Sequence, residues 1–303
     1  MIKDIKGILI AGMRLVWKNH KFVYLFWSAN IAFGIILTLP LFYILNDNLL
    51  HSAMSDSLFF SLDYTWYAQI RNIYKSSIGV YPFLIYSVIG AYTIIQVFFL
   101  GGIIAVMHNP AKNHYVDFFF GCVKYFYRFL KILLLSLFFY AVAFKINDYL
   151  GQLIEYLFSN QEQRLAEFIL RAARYALLIF LIGVVTLVSD YSKISAAVKD
   201  NLSIWPEIKN AIRFIRKNFP IVFTVFLIVA SLGALGVIVY DLTANYLPKT
   251  TYLFFILSFI LQQLLIIFRF LIRMYFYASQ VFLFKDLNAQ IISASAEEIQ
   301  AGV

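Results

Sequence analysis

Arg269 and Arg273 stand four residues apart in the stretch IIFRFLIRMYFYASQ (266–280), which is otherwise nearly all apolar. The same spacing joins Arg14 to Lys18, Lys124 to Arg128 and Arg213 to Lys217. Residues i and i+4 share one helix face, so each pair offers two cations side by side. Such a pair suits a carboxylate or a phosphate, and a guanidinium can grip either with two bonds. At about 100° per residue, Ser258, Gln262, Arg269, Arg273 and Gln280 fall in one wedge of about 60°. A polar stripe on an apolar helix belongs against protein or a wet cavity, because lipid exposure costs several kcal/mol. The candidate anion or lipid-binding residues are therefore Arg269, Arg273, Gln262, Gln280, Arg14, Lys18, Lys124, Arg128, Arg213 and Lys217.

Other chemistry has little support. The sequence has no Walker loop, G-x-S-x-G, H-E-x-x-H or C-x-x-C, which are the short motifs that mark phosphate cradles, nucleophile elbows and metal sites. Its single cysteine, Cys122, excludes an internal disulfide. His108, His114 and Asp117 share the loop HNPAKNHYVD (108–117), where Pro110 leaves a ligand geometry undefined, and interfacial histidines are the simpler reading. No catalytic residue, metal or cofactor is expected, and the chain reads as a non-enzyme.

The elements that position the basic pairs follow from composition. Of 303 residues, 62% are hydrophobic and 14% charged, with mean hydropathy +0.79. Soluble domains carry about 25% charged residues, so this chain needs lipid as a solvent. Uncharged runs of 25, 36, 23 and 19 residues follow Lys21, Lys75, Lys217 and Lys249. A span takes about 20 apolar residues. Two further spans are expected near 126–149 and 168–189, with Lys131, Lys145, Arg171 and Arg174 snorkelling at their ends. Six transmembrane helices are predicted, all-α, in three hairpins. β-Barrel alternation is absent. The N-terminal stretch lacks a signal-peptide layout, so the first span is expected to be retained.

Sixteen of the 25 Lys and Arg fall in segments 1–21, 109–131, 190–217 and 284–303. The positive-inside rule then places both termini in the cytoplasm. Anionic inner-leaflet lipid accounts for the net charge of +9, and the scatter of the bases argues against nucleic acid.

Three of the basic pairs lie in similar segments. GMRLVWKNHKFVYLF (12–26) aligns with AIRFIRKNFPIVFTV (211–225), matching Arg14 with Arg213, Lys18 with Lys217 and Asn19 with Asn218. CVKYFYRFLKILLLS (122–136) supplies Lys124 and Arg128 at the same positions. Each segment reads as an amphipathic elbow lying along the membrane surface before a span. The expected organisation is one domain, 1–286, of three repeat units (1–108, 109–190 and 191–286), and a mobile cytoplasmic tail, 287–303. The stretch SLFFSLDYTWYAQIRNIY (57–74) reads as an aromatic interfacial segment on the far side. Glu167 and Arg171 should pair along a helix. Gly101-Gly102 and Gly233/Gly236 read as close packing points.

The last span leaves two readings of its arginines. If it starts at Thr250, Arg269 emerges at the inner boundary after about 28 Å and both arginines are anchors. The repeat alignment of Phe276 with Asp190 instead sinks them by one to two turns. Acidic partners are scarce: Asp190, Asp117 or Asp286, and otherwise a backbone carbonyl or a lipid phosphate.

The segments MRLVWKNHKFVYLFWSANIAF, SLDYTWYAQI and DYSKISAAVKDN resemble a group of bacterial six-helix membrane proteins, and the layout is similar to YciC-type proteins and to the membrane domain of some glycerophosphodiester phosphodiesterases. The chain has no phosphodiesterase catalytic domain, so that activity does not carry over. The resemblance implies a bacterial inner membrane and an envelope-related role. Two functional readings stand: binding or moving an anionic lipid or amphiphile, and a structural or regulatory subunit packed against a protein partner or a second copy.

Overall fold

The computed structural model describes residues 5–49, 64–109, 111, 113–159, 164–247 and 251–301. Among them the chain is all-helical, without strands. The helices are α1 (Ile5–Lys18), α2 (Val23–Leu49), α3 (Tyr64–Ile73), α4 (Lys75–His108), α5 (Tyr115–Phe158), α6 (Arg164–Val198), α7 (Ile204–Lys217), α8 (Phe219–Asn245) and α9 (Thr251–Ala301). A 3-10 turn, His20–Phe22, links α1 to α2. Six helices, α2, α4, α5, α6, α8 and α9, are long and apolar enough to cross a membrane. Of the aromatic stretch 57–74, residues 57–63 lie outside the described set and most of the rest forms α3.

The first and third aligned segments break at the same atom pattern. Asn19 donates its backbone N–H to the carbonyls of Leu15 (3.2 Å) and Val16 (3.0 Å), and its side-chain amide to Leu15 O (2.9 Å). Asn218 repeats this on Phe214 (3.0 Å) and Ile215 (3.2 Å), with its amide on Phe214 O at 3.0 Å. An asparagine that satisfies the last carbonyls itself lets the helix stop there. The middle segment differs from expectation. Its aligned residue is Phe129, which has no such amide, and α5 runs unbroken for 44 residues. At 1.5 Å per residue that is about 66 Å, twice a hydrocarbon core. Likewise α9 continues for 51 residues, through both arginines and through the segment read as a mobile tail, as far as Ala301.

The chain divides into two compact units, residues 21–96 and residues 1–20 with 97–303. In the smaller unit α2 and the first part of α4 are tied side by side. Tyr92 donates to Asn30 Oδ1 (3.2 Å) and its ring meets Phe33 edge-on at 5.5 Å. The Tyr81 hydroxyl donates to the Leu37 carbonyl.

In the larger unit the core collects at one end. Its buried residues come from the last turns of α4 (Ile103, Ile104), the start of α5 (Phe118, Phe129), the end of α6 (Tyr191, Ile194) and the middle of α9 (Ala278, Leu283). Toward the other end the same helices show large apolar side chains outward, such as Phe138, Phe144, Phe255 and Phe259. Small residues set the closest approaches. A Cβ on Gly121 would collide with the Ala105 Cβ, and one on Gly101 would lie 2.9 Å from the Gly121 carbonyl. Helices α4 and α5 therefore cross backbone to backbone, as small residues permit in membranes. Gly12 admits Ser279 in the same way, seating α1 on α9. Gly233 and Gly236 lie under Ile272 and Phe268 on α9.

Gly121→Ala should lower the melting temperature in detergent, although alanine is the better helix former by about 1 kcal/mol, because overpacking there costs about 1–3 kcal/mol. Gly90→Ala, with nothing within 4 Å of its Cβ, should leave it level or raised. Size-exclusion thermal melts of both variants make the comparison.

Candidate functional site

The nine residues Ser189 to Ala197 of α6 are all buried, and five of them are polar or charged. An interior helix normally turns apolar on every face. Here the polar groups are answered by neighbouring helices and within α6 itself. Tyr277 on α9 donates its hydroxyl to Asp190 Oδ1 (3.2 Å), and Lys193 Nζ approaches the same oxygen at 3.5 Å. The Arg273 guanidinium, one turn before Tyr277, reaches the Tyr277 hydroxyl. Ser195 donates to Glu207 Oε2 on α7 (2.5 Å), and Asn201 donates to Glu207 Oε1 (3.1 Å). Tyr125 of α5 donates to the Ala197 carbonyl at 3.3 Å. Apolar walls close the rest: the rings of Tyr191, Phe214 and Phe284 meet at 4.9–6.4 Å.

Gln280, two turns past Arg273 on the same face of α9, is 2% exposed, and both its amide atoms lack a hydrogen-bond partner among the described residues. The arrangement orients the two carboxylates, Asp190 toward Tyr277 and Glu207 toward Ser195 and Asn201.

A second polar contact lies just beyond α6. Asp200, with φ +50°, turns the chain in the left-handed region that Asp tolerates. Its carboxylate holds Lys124 Nζ on one oxygen (2.7 Å) and Arg128 on the other (3.0 Å). The hydrogen bond from Lys124, and after it that from Arg128, holds the Asp200 carboxyl below its usual range.

The ten candidate residues are thus separated. Lys124 and Arg128 converge on Asp200, and Arg273 joins the Asp190 centre. Arg14, Lys18, Arg213 and Lys217 are exposed on α1 and α7, and Gln262 and Arg269 are exposed on α9. The stripe expected to face one environment is therefore divided, Gln280 inward and Gln262 outward. Glu167 and Arg171 pair at 2.5 Å as the spacing predicts. Asp117 accepts from the His114 backbone N–H at 3.3 Å, capping α5. Among the described residues, no three of His, Cys, Asp and Glu gather as a metal site would require. Asp190 was among the possible partners for the arginines, whereas Lys193, Glu207 and Tyr277 were missed. The segment 190–217 reads as an inner loop because it is polar; the available signal was the run of five polar residues within SDYSKIS, which continues a helical span without a break.

Comparison with known proteins finds no matching family model, no matching curated protein and no matching solved structure.

Asp190→Ala should cost about 3–5 kcal/mol, because it strands the buried Lys193, and Tyr277→Phe about 1 kcal/mol. Their double variant should cost less than the sum, read by detergent melts. Asp200 has a lowered folded pKa, so its stabilisation is present above the unfolded carboxylate value of about 3.9 and fades as pH falls through the lower folded one. Wild type should therefore melt above Asp200→Asn at neutral pH, and the gap should close below about pH 4. A gap independent of pH would contradict the clamp.

Proposed function

We propose that this chain is a non-enzymatic, multi-pass protein of a bacterial inner membrane that binds an anionic lipid or amphiphile at its basic helices. In this reading the spans form three helical hairpins in three repeat units, α1 and α7 are interfacial elbows, and both termini face the cytoplasm. The observation that carries it is the clamp on Asp200. Lys124 and Arg128, an i, i+4 pair, each take one oxygen of a single anionic group. The aligned pairs Arg14/Lys18 and Arg213/Lys217 have the same spacing and are exposed. A phosphodiester presents two such oxygens to a surface helix, and guanidinium suits it. Basic charge on an amphipathic helix also draws it to anionic headgroups.

A second reading, a structural or regulatory subunit, has its own observation. Gln262 and Arg269 are exposed on a membrane-length helix, beside outward Ile260 and Leu264. Facing lipid they would be costly, so a second copy or a partner protein would cover them. Gln262→Cys should then form a disulfide-linked dimer in membranes if the cover is another copy, since the natural Cys122 is buried.

For the lipid reading, native mass spectrometry of the gently extracted protein should show a retained anionic lipid. Replacing Arg14, Lys18, Arg213 and Lys217 together by Gln should release it and leave the melting temperature within a few degrees. An identical lipid complement in that variant would count against the proposal. The pair Arg269→Gln and Arg273→Gln should act differently: it should lower stability through the Asp190 centre before it alters lipid.

A further inference from the structure

Between α5 and α6, under α7, lies a cavity of about 380 Å³. Its two long walls are helix faces. Ile132 and Phe139 mark the ends of the α5 wall, and Val184 and Ser192 those of the α6 wall. Eight residues of helix give it a length of about 12 Å along the span. The walls are mostly apolar, and two of the three serines that line them are turned away from the slot. Ser136 turns its hydroxyl to the Leu133 carbonyl (2.8 Å) and Ser192 to the Val188 carbonyl (2.6 Å), so each is satisfied within its own helix.

The third side belongs to α7, and one residue there does not fit an apolar slot. Trp205, Ile208, Lys209 and Ile212 line it, a single i, i+3, i+4, i+7 stripe. Lys209 thus places a cation within the lining, between an exposed Trp205 and an exposed Ile212. No carboxylate lies among the described lining residues. The acid of α7, Glu207, is buried and turned to Ser195 and Asn201. Arg213 and Arg216 follow on the same helix, both exposed. An apolar slot running along a span, with a cation and a tryptophan at the surface-helix end, has the polarity of one phospholipid. The chain lies between the helices, the phosphate meets the ammonium, and the indole sits at headgroup level.

We infer that the α5–α6–α7 slot takes one acyl chain of a membrane phospholipid with an anionic headgroup, with Lys209 holding the phosphate. The inference rests on the lipid reading above and assigns it a second, more specific place. A neutral zwitterionic lipid leaves less net charge for Lys209, Arg213 and Arg216, so the slot selects phosphatidylglycerol-like over phosphatidylcholine-like lipids.

The test titrates the full-length protein in detergent with dioleoyl-phosphatidylglycerol, dioleoyl-phosphatidylcholine and glycerol 3-phosphate, read by native mass spectrometry. Wild type is compared with Lys209→Gln and Ile212→Glu, both at exposed positions where folding should survive, and with the four-residue α1/α7 variant. Val188→Phe, which fills the slot, is read alongside after its melting temperature is checked. The expected result is one retained phosphatidylglycerol that is bound about tenfold more weakly in Lys209→Gln and in Ile212→Glu, with phosphatidylcholine not retained. Retention lost in the four-residue variant but unchanged in Lys209→Gln and Ile212→Glu overturns the slot and leaves the lipid reading standing. Glycerol 3-phosphate binding as tightly as the lipid also overturns the slot, because no chain would be needed. No retained phosphatidylglycerol in wild type removes both.

Discussion

Asp190 lies inside the protein, and much of the larger unit is arranged around what its carboxylate requires. An ionised group out of water must be paired and hydrogen-bonded. Tyr277 and Lys193 meet it directly, and Arg273 reaches it through Tyr277. The Tyr277 contact fixes the register of α6 against α9, because a shift by one residue would break it. With that register set, Ser195 meets Glu207 and places α7, and Tyr125 meets Ala197 and places α5. A wholly apolar core could be as stable, and the polar one makes the packing specific.

The glycine contacts act on the same region from the other side. Gly101 and Gly121 bring α4 and α5 to backbone contact, and Gly12 brings α1 onto α9 at Ser279. The tight polar end and the apolar, outward-facing remainder of α5, α8 and α9 then divide the work. One end is held by protein–protein packing, and the other is left for lipid to solvate. The bases Arg14 and Lys18 on α1 and Arg213 and Lys217 on α7 are exposed.

Much of this was legible in the sequence, for reasons that can be assigned. Four long uncharged runs, and two apolar segments with bases near their ends, give six membrane-length helices because hydropathy is additive along a helix. Asn19 and Asn218 align, and they make the same three bonds at the same kind of break. The middle unit was misread because its bases match while residue 129 is phenylalanine; the bases do not end a helix, the amide does. Polarity was the poorer guide to burial. SDYSKIS looks like a loop, yet its partners come from other helices, at Glu207 twelve positions on and at Tyr277 eighty-seven positions on, and tertiary pairing of that kind leaves no local period. The arginine pair was recognised as unusual, but one helix-wheel wedge cannot reveal that Arg273 faces α6 while Arg269 lies at the surface.

The central claim is that the basic surface of α7 holds an anionic phospholipid. Its most direct test is a cryo-electron-microscopy map of the protein in nanodiscs containing phosphatidylglycerol. The account predicts phosphate density within hydrogen-bond reach of Lys209 or of the Arg213/Lys217 pair, with chain density entering the slot between α5 and α6. A map in which α7 meets another protein subunit, with no lipid density at these bases, would contradict it.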